Sequence, residues 1–526
     1  MTRILGAWAC LTACVLFSAG CHSDDPPPES NSPWPTLEEA GDALDTGALA
    51  PCSHPTQVTT GCGELSRFNL SKCDRASLAN APTEGVFILK NRAVTSTSST
   101  GGVLFPSAMK LSKEGSPSIL SGGDVNVDTR SGETFYLSRE TRLSNGDLSL
   151  AAYVGCQLSS AQQLTGCYVI CRNGQVRSTG TFEALRTMRR EGEQEAEGIQ
   201  LVSESFVALG LPVDIYVAKK HAYVVSVNMH GRTGGLSVFD VADPAHPVFR
   251  RTVTMPGDSY WNGVWARGDA LYVASATRGA LVFDISDPAN PVFMKNVPED
   301  PIDVHTVFVE GDRLYAMSPS PSSETLLFDI TQPLAPVLLT RFSALGGQTS
   351  GYPHDAFAYE GRLYINHWNL GYVVLDVSNP ASVKQLGKYQ YRNQTSHANA
   401  VGTIAGRTIA FEGGENYDAH LRVLDVTEPA AVVKIGEWRL REQASIHNMV
   451  LVGTRLYIAW YHEGVRVLDV SDPSQPRQLA YFNTFRETDF ERGYSFYEGA
   501  LGMRVPGDGY VYVVDSSRGL LIFREP

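Results

Sequence analysis

No cysteine follows Cys171, and no long apolar run follows the first 20 residues of this 526-residue chain. The first absence confines any disulfide to the N-terminal part, and the second excludes a later spanning helix, which needs roughly 18 to 20 apolar residues. Basic charge is also in deficit: 43 Lys and Arg face 56 Asp and Glu, a net charge of −13, with no long Lys/Arg run. That balance opposes nucleic-acid binding. GxSxG, P-loop and dinucleotide fingerprints are missing, and the only loop-borne nucleophiles are ordinary Ser and Thr. Charged residues are only 19%, whereas 48 Gly and 29 Pro are present. Such a composition suits a turn-rich extracellular β protein and excludes a long coiled coil or a disordered chain.

The start of the chain reads as an export signal over residues 1–20. Arg3 is followed by an apolar stretch from Ile4 to Phe17 and then by Ser18, Ala19, Gly20 and Cys21. SAGC ahead of a polar HSDDPPPESNSP segment is similar to the lipobox of bacterial lipoproteins, which implies lipidation of Cys21, although Ser18 stands where that motif has Leu. An ordinary signal peptide releasing a secreted protein is the alternative. Residues 21–50, rich in Pro, Ser and acids, are expected to form a flexible tether.

Six cysteines remain beyond the signal region: Cys52, Cys62, Cys73, Cys156, Cys167 and Cys171. An even set in an exported chain predicts up to three disulfides, of fifteen possible connectivities, and the absence of CxxC pairs disfavours a Cys-based metal site. They lie in a domain over residues 51–190 whose runs VFILKNRAV, TFYLSRETRL, LSLAAYVGCQL and LTGCYVICRN predict a small antiparallel barrel or sandwich. TFEALRTMRREGEQEAEG then reads as a charged helix or linker. Asp124, Asn126 and Asp128 alternate like a calcium loop, but Thr129 and Phe135 stand where Gly and an acid are needed, so a polar strand face is preferred.

The remainder repeats one phrase: GLSVFDVADP, GALVFDISDP, ETLLFDITQP, GYVVLDVSNP, HLRVLDVTEP, GVRVLDVSDP and a worn GLLIFREP. Its markers Asp240, Asp284, Asp329, Asp376, Asp425, Asp469 and Arg524 are separated by 44, 45, 47, 49, 44 and 55 residues. A period near this length signals a solenoid or propeller. Each repeat carries four strand-like runs, so the expected fold is all-β: a seven-bladed β-propeller of four-stranded blades over residues 199–526, behind the Cys-bearing domain. The Asp is expected to accept backbone N–H groups of its turn, and the Pro to stop the strand. Because the chain ends on the third strand of blade seven, the segment 199–207 is predicted to pair with 519–524 and cover the open edge.

These phrases resemble the LVIVD-repeat family, β-propellers of bacterial and archaeal surface proteins. The resemblance covers about residues 200–526 and implies the fold and an envelope location, with no catalytic residue to carry over.

Aligned on the repeat, four consecutive inner strands open with histidine: His305, His354, His397 and His447, with Asn262 and Glu498 in the same slot of blades two and seven. Equivalent positions converge at one mouth of a propeller channel, so these imidazoles are candidate ligands for zinc, copper or iron, with Glu498, Asp355 or Asp303 as oxygen donors. The structural alternative is that each His bonds inter-blade backbone. Loops of the same face carry His230, His367 and His462, with His420 beside them, and Tyr352, Trp368, Tyr417, Trp460 and Tyr461, which suit a pocket for peptide, glycan or small ligand. Three function classes follow. The leading one is a membrane-anchored binding module of the cell envelope, partnered by a protein, glycan or small molecule. The others are a metal-dependent hydrolase or oxidoreductase using the histidines, and a structural envelope protein. Cys21→Ser is expected to move the protein from the membrane to the soluble fraction of lysed cells; unchanged membrane association would contradict lipidation.

Overall fold

A computed structural model describes residues 30–94, 102–113, 115–344 and 351–526. The expected signal segment and Cys21 lie outside these residues.

Seven antiparallel sheets, each of four repeat-register strands, follow one another as blades. Blade one is Leu211–Ala218, His221–Val227, Gly235–Asp240 and Val248–Val253, and each later blade repeats this inner-to-outer order. Blade seven contributes only Ala500–Arg504, Tyr510–Asp515 and Gly519–Arg524. Its outer strand is Gln200–Ser205, taken from ahead of blade one. Blade six gains a fifth strand, Ala196–Glu197, against Tyr481 and Phe482.

Local chemistry explains the recurrence. Asp240, Asp284, Asp329, Asp376, Asp425 and Asp469 each accept the backbone N–H two residues on, at 2.7–3.1 Å. These Asx turns end the third strand before the Pro. Glycine five residues before the marker is required sterically: a Cβ on Gly279, Gly371 or Gly464 would lie 2.8, 2.3 or 2.2 Å from the carbonyl oxygen of Val297, Tyr389 or Phe482 on the adjacent outer strand. Alternate residues of the inner strands then face neighbouring blades, and the largest buried cluster runs from Val213 and Ile215 in blade one to Val514 and Ile522 in blade seven.

The Cys-bearing domain is one nine-stranded antiparallel sheet curled into an open half-barrel, where a barrel or sandwich was expected. Leu89, Met109, Leu137, Tyr153 and Phe182 fill its concave core. Disulfides Cys52–Cys167, Cys62–Cys171 and Cys73–Cys156 staple residues 52–73 to the outer face of two adjacent strands. The stretch read as a charged helix or linker begins instead as the end of the strand Gln175–Arg186, because Phe182 and Ala184, two apart, both bury in that core. Asp128, in the strand Val127–Ser131, binds the Arg130 guanidinium at 2.7 Å and accepts from the Ser118 hydroxyl at 2.6 Å.

Residues 34–50 also differ from the expected flexible tether. Leu37 N–H donates to Lys434 O and Asp42 N–H to Arg392 O, which lays the segment along blade five. There Arg422, fully buried, donates to Glu39 Oε2 at 2.8 Å and Asp42 Oδ1 at 2.7 Å and stacks 3.5 Å from the centre of the Tyr391 ring. Sequence composition marked this stretch as polar; the buried arginine is what makes it ordered. Burial pushes the Glu39 pKa up, but the hydrogen bond and charge of Arg422, with Gly41 N–H and Lys434, outweigh it and hold the pKa at about 2.

Asp42→Ala is expected to lower unfolding free energy by up to roughly 3–5 kcal/mol, because it takes a fully buried carboxylate from the Arg422 guanidinium and leaves Glu39 as its hydrogen-bonded partner, as read by denaturant titration. The Glu39 pKa is depressed on folding, so its contribution is present above the ordinary value of 4.5 and is lost as pH falls through about 2. Glu39→Gln is therefore expected to flatten the acid limb of stability against pH in that window.

Candidate functional site

The four aligned histidines do meet. His305 and His447 immediately precede the inner strands Thr306–Glu310 and Asn448–Val452, while His354 and His397 lie in Pro353–Tyr359 and Ser396–Ile404. Successive ring centres are 4.3 Å apart for His305 and His354, 4.1 Å for His354 and His397, and 4.9 Å for His397 and His447. His305 Nε2 lies 2.8 Å from His354 Nε2 and 3.1 Å from Asn262 Nδ2. His397 Nε2 is 3.5 Å from Glu415 Oε2, and the Tyr461 hydroxyl donates to the other oxygen of that carboxylate. Two groups of ligand atoms fall within 4.8 Å of one another: His397, Glu415 and His447; and His354, Asp355 and His397.

Burial dominates the electrostatics. It holds the His305 and His447 pKa values at about 4, and it drives His354 and His397 well below the ordinary range, helped by their histidine neighbours. Burial likewise pushes Glu415 up to about 8, against the Tyr461 hydrogen bond, and Asp355 up to about 7. Near neutral pH the layer is therefore a set of uncharged imidazoles beside carboxyl groups whose ionisation burial opposes.

Above this layer stands an aromatic rim. Tyr352 and Trp368 stack with centres 5.6 Å apart and planes 10° apart, and Trp368 is 5.2 Å from His354. Tyr260 and Tyr497 are more open, at 38% and 36% exposure. Asp303, with its pKa raised to about 6 by burial, lies within electrostatic reach of Tyr260 and Tyr352. Beneath the layer a cavity of about 320 Å³ follows the channel past Asp214, Thr306, Asn399 and Arg504. A ladder of Tyr216, Trp265, Phe308 and Phe357, with neighbouring centres 5.2, 4.6 and 4.9 Å apart, lines that part.

The remaining sequence candidates are dispersed. Glu498 is spent on the backbone N–H groups of Gly493 and Ser495 and lies outside both ligand groups; Glu415 supplies the carboxylate expected of it. Trp460 is core, fully buried, and donates its indole N–H to Ala444 O. Tyr417 is buried under the half-barrel, with the Lys90 ammonium 4.8 Å above its ring and its hydroxyl on Glu442. His230 packs on Tyr494 beside the half-barrel, His462 packs near Phe485, and His420 binds Asp42 of the N-terminal segment. His367 is buried behind Trp368 with its Nδ1 unpartnered. Glu415, Tyr260, Tyr497 and Arg504 were not singled out from sequence, because they sit in loops or slots where the repeats differ. The channel ladder was accessible in principle: Trp265, Phe308 and Phe357 each lie three residues beyond the aligned Asn or His.

A family model described as the LVIVD repeat matches residues 210–254, 259–298, 350–390 and 447–484, which are blades one, two, four and six. The chain carries LVIVD repeats. The three blades outside the LVIVD matches are those that break the phrase: Glu324 and His420 replace the glycine in blades three and five, and blade seven borrows its outer strand. No curated protein matches the chain. Among solved structures the LVIVD-repeat chain is similar to the computationally designed Ika8 protein, at 9% identity over 70% of this chain and 95% of that one, with a TM-score of 0.41. It is also similar to the WD40 β-propeller domain of Doa1, at 11% identity over 62% and 98% with a TM-score of 0.44, and to a chain of the mitotic checkpoint complex, at 11% over 65% and 99% with a TM-score of 0.44.

Trp460→Ala is expected to cost roughly 3–5 kcal/mol of stability, the range for emptying a buried tryptophan site, measured by chemical denaturation. A cost below about 1 kcal/mol would contradict its placement in the core.

Proposed function

We propose that this β-propeller repeat protein is an exported, membrane-anchored binding module whose ligand sits at the aromatic rim of the channel mouth. The observation that carries the reading is the near-parallel Tyr352/Trp368 pair, part-exposed beside the histidine layer and flanked by Tyr260, Tyr497 and Asp303. Flat aromatic faces with polar groups alongside suit a glycan: sugar C–H faces stack on the rings, and hydroxyls bond to tyrosine O–H and carboxylate. Three disulfides support passage through an oxidising compartment. Anchoring rests on the lipobox-like SAGC at Cys21.

The test is calorimetric titration of the intact chain with a panel of cell-envelope oligosaccharides, followed by tryptophan fluorescence. Binding is expected, and Trp368→Ala should weaken it by about tenfold or more, as for a central aromatic contact, without lowering the melting temperature. Full-strength binding by a folded Trp368→Ala variant would place the ligand elsewhere, and preference for peptides over glycans would overturn the ligand class.

A further inference from the structure

Beneath the rim, four histidine rings crowd edge to edge. A neutral ring nitrogen offers one lone pair or one proton. His305 Nε2 nevertheless faces both His354 Nε2 and Asn262 Nδ2, at 2.8 and 3.1 Å, and cannot serve both well. His354, His397 and His447 each lie against a backbone carbonyl of the next blade, at His397, His447 and Leu501, which holds one edge of each ring. Neutral rings held at one edge and set side by side beside a carboxyl group present lone pairs that one cation could share.

The donor set and spacing fit a cation. Two atoms bound at about 2.1 Å to one tetrahedral ion lie roughly 3.4 Å apart. His397 Nε2 and Glu415 Oε2 are separated by 3.5 Å, and His447 joins them within 4.8 Å. We propose that the channel mouth is a transition-metal site of the zinc or copper class, held by His397, His447 and Glu415 from blades five and six. Imidazole nitrogens with one carboxylate suit these ions and disfavour calcium or magnesium, which take oxygen sets.

The surroundings are those of supported ligands. The Tyr461 hydroxyl donates to the second oxygen of Glu415, fixing the carboxylate. This inference rests on the reading of the mouth as the ligand end of the molecule, and it places the ion immediately below the glycan-stacking pair.

The experiment uses the intact mature chain, stripped with a chelator, dialysed against zinc or cobalt(II) and analysed for bound metal by mass spectrometry. One equivalent per chain is expected, with a visible cobalt(II) spectrum of low-symmetry coordination and a raised melting temperature. His397→Ala should lose the ion, Tyr461→Phe should weaken affinity by about tenfold or more, and His462→Ala should retain the wild-type stoichiometry. The assignment is overturned if folded wild type takes up no more metal than folded His397→Ala. Oligosaccharide titration with chelator present separates the two readings: binding that survives without metal keeps the rim as a ligand site whichever way the uptake falls.

Discussion

Everything at the channel mouth depends on closure of the ring by one borrowed strand. The chain runs out after the third strand of blade seven, and Gln200–Ser205 supplies the fourth. This strand reproduces the local geometry of a native one. In blades one to six the outer strand carries an extra residue opposite the second-to-last step of the third strand, for instance between Val238 and Phe239. The borrowed strand makes the same bulge between Leu201 and Ser203, opposite Phe523 and Ile522. Gly519 likewise lies beneath Ser205 O, where a Cβ would come within 2.4 Å, as its counterparts lie beneath their own outer strands. Glu204 adds a charged latch, bonding Arg518 at 2.6 Å and Arg486 at 3.1 Å. With the ring closed, seven inner strands share one axis, and residues in one repeat slot become neighbours.

The N-terminal part clamps that ring from outside. Arg186 binds Glu487 and Lys90 reaches Glu442, while Ile88, Ala108, Tyr417 and Phe496 form a small apolar seam between half-barrel and propeller. Buried ion pairs recur along these joints: Arg422 with Glu39 and Asp42, and Arg466 with Glu193 and Glu463. Such pairs add little net stability over apolar packing, yet they are expensive to break once formed. Their effect is to fix where the pieces dock. The three disulfides act within the half-barrel and hold residues 52–73 on its outer face independently of the ring.

Much of this was legible in the sequence because the repeat phrase is a local chemical requirement. Asp at the turn and Gly beneath the outer strand are needed by backbone geometry alone, so blade count, register and the position of His305, His354, His397 and His447 could be read without a structure. Contacts between distant segments were not legible. Nothing in PTLEEAGD states that Glu39 and Asp42 will meet Arg422, and the polar composition pointed to a tether. Glu498 shared the histidine slot but not its surroundings, since the long loop before it folds back to offer backbone N–H groups. Glu415 came from a loop whose length differs among blades, where the register gives no guidance.

The site is thus a product of repetition and of its breakdown: the repeat lines up four imidazoles, and irregular loops add the carboxylate and aromatic rim that distinguish this mouth from a plain channel. Since the alignment exists only in a closed ring, native-state hydrogen exchange of the intact chain tests the account most directly. Amides of Leu520 to Phe523, bonded on both sides, should exchange as slowly as those of Val465 to Leu468 in blade six, with opening free energies near the global value. Exchange of the 520–523 amides at rates typical of a frayed edge, while blade six stays protected, would show that the ring is not closed by residues 200–205 and would contradict the account.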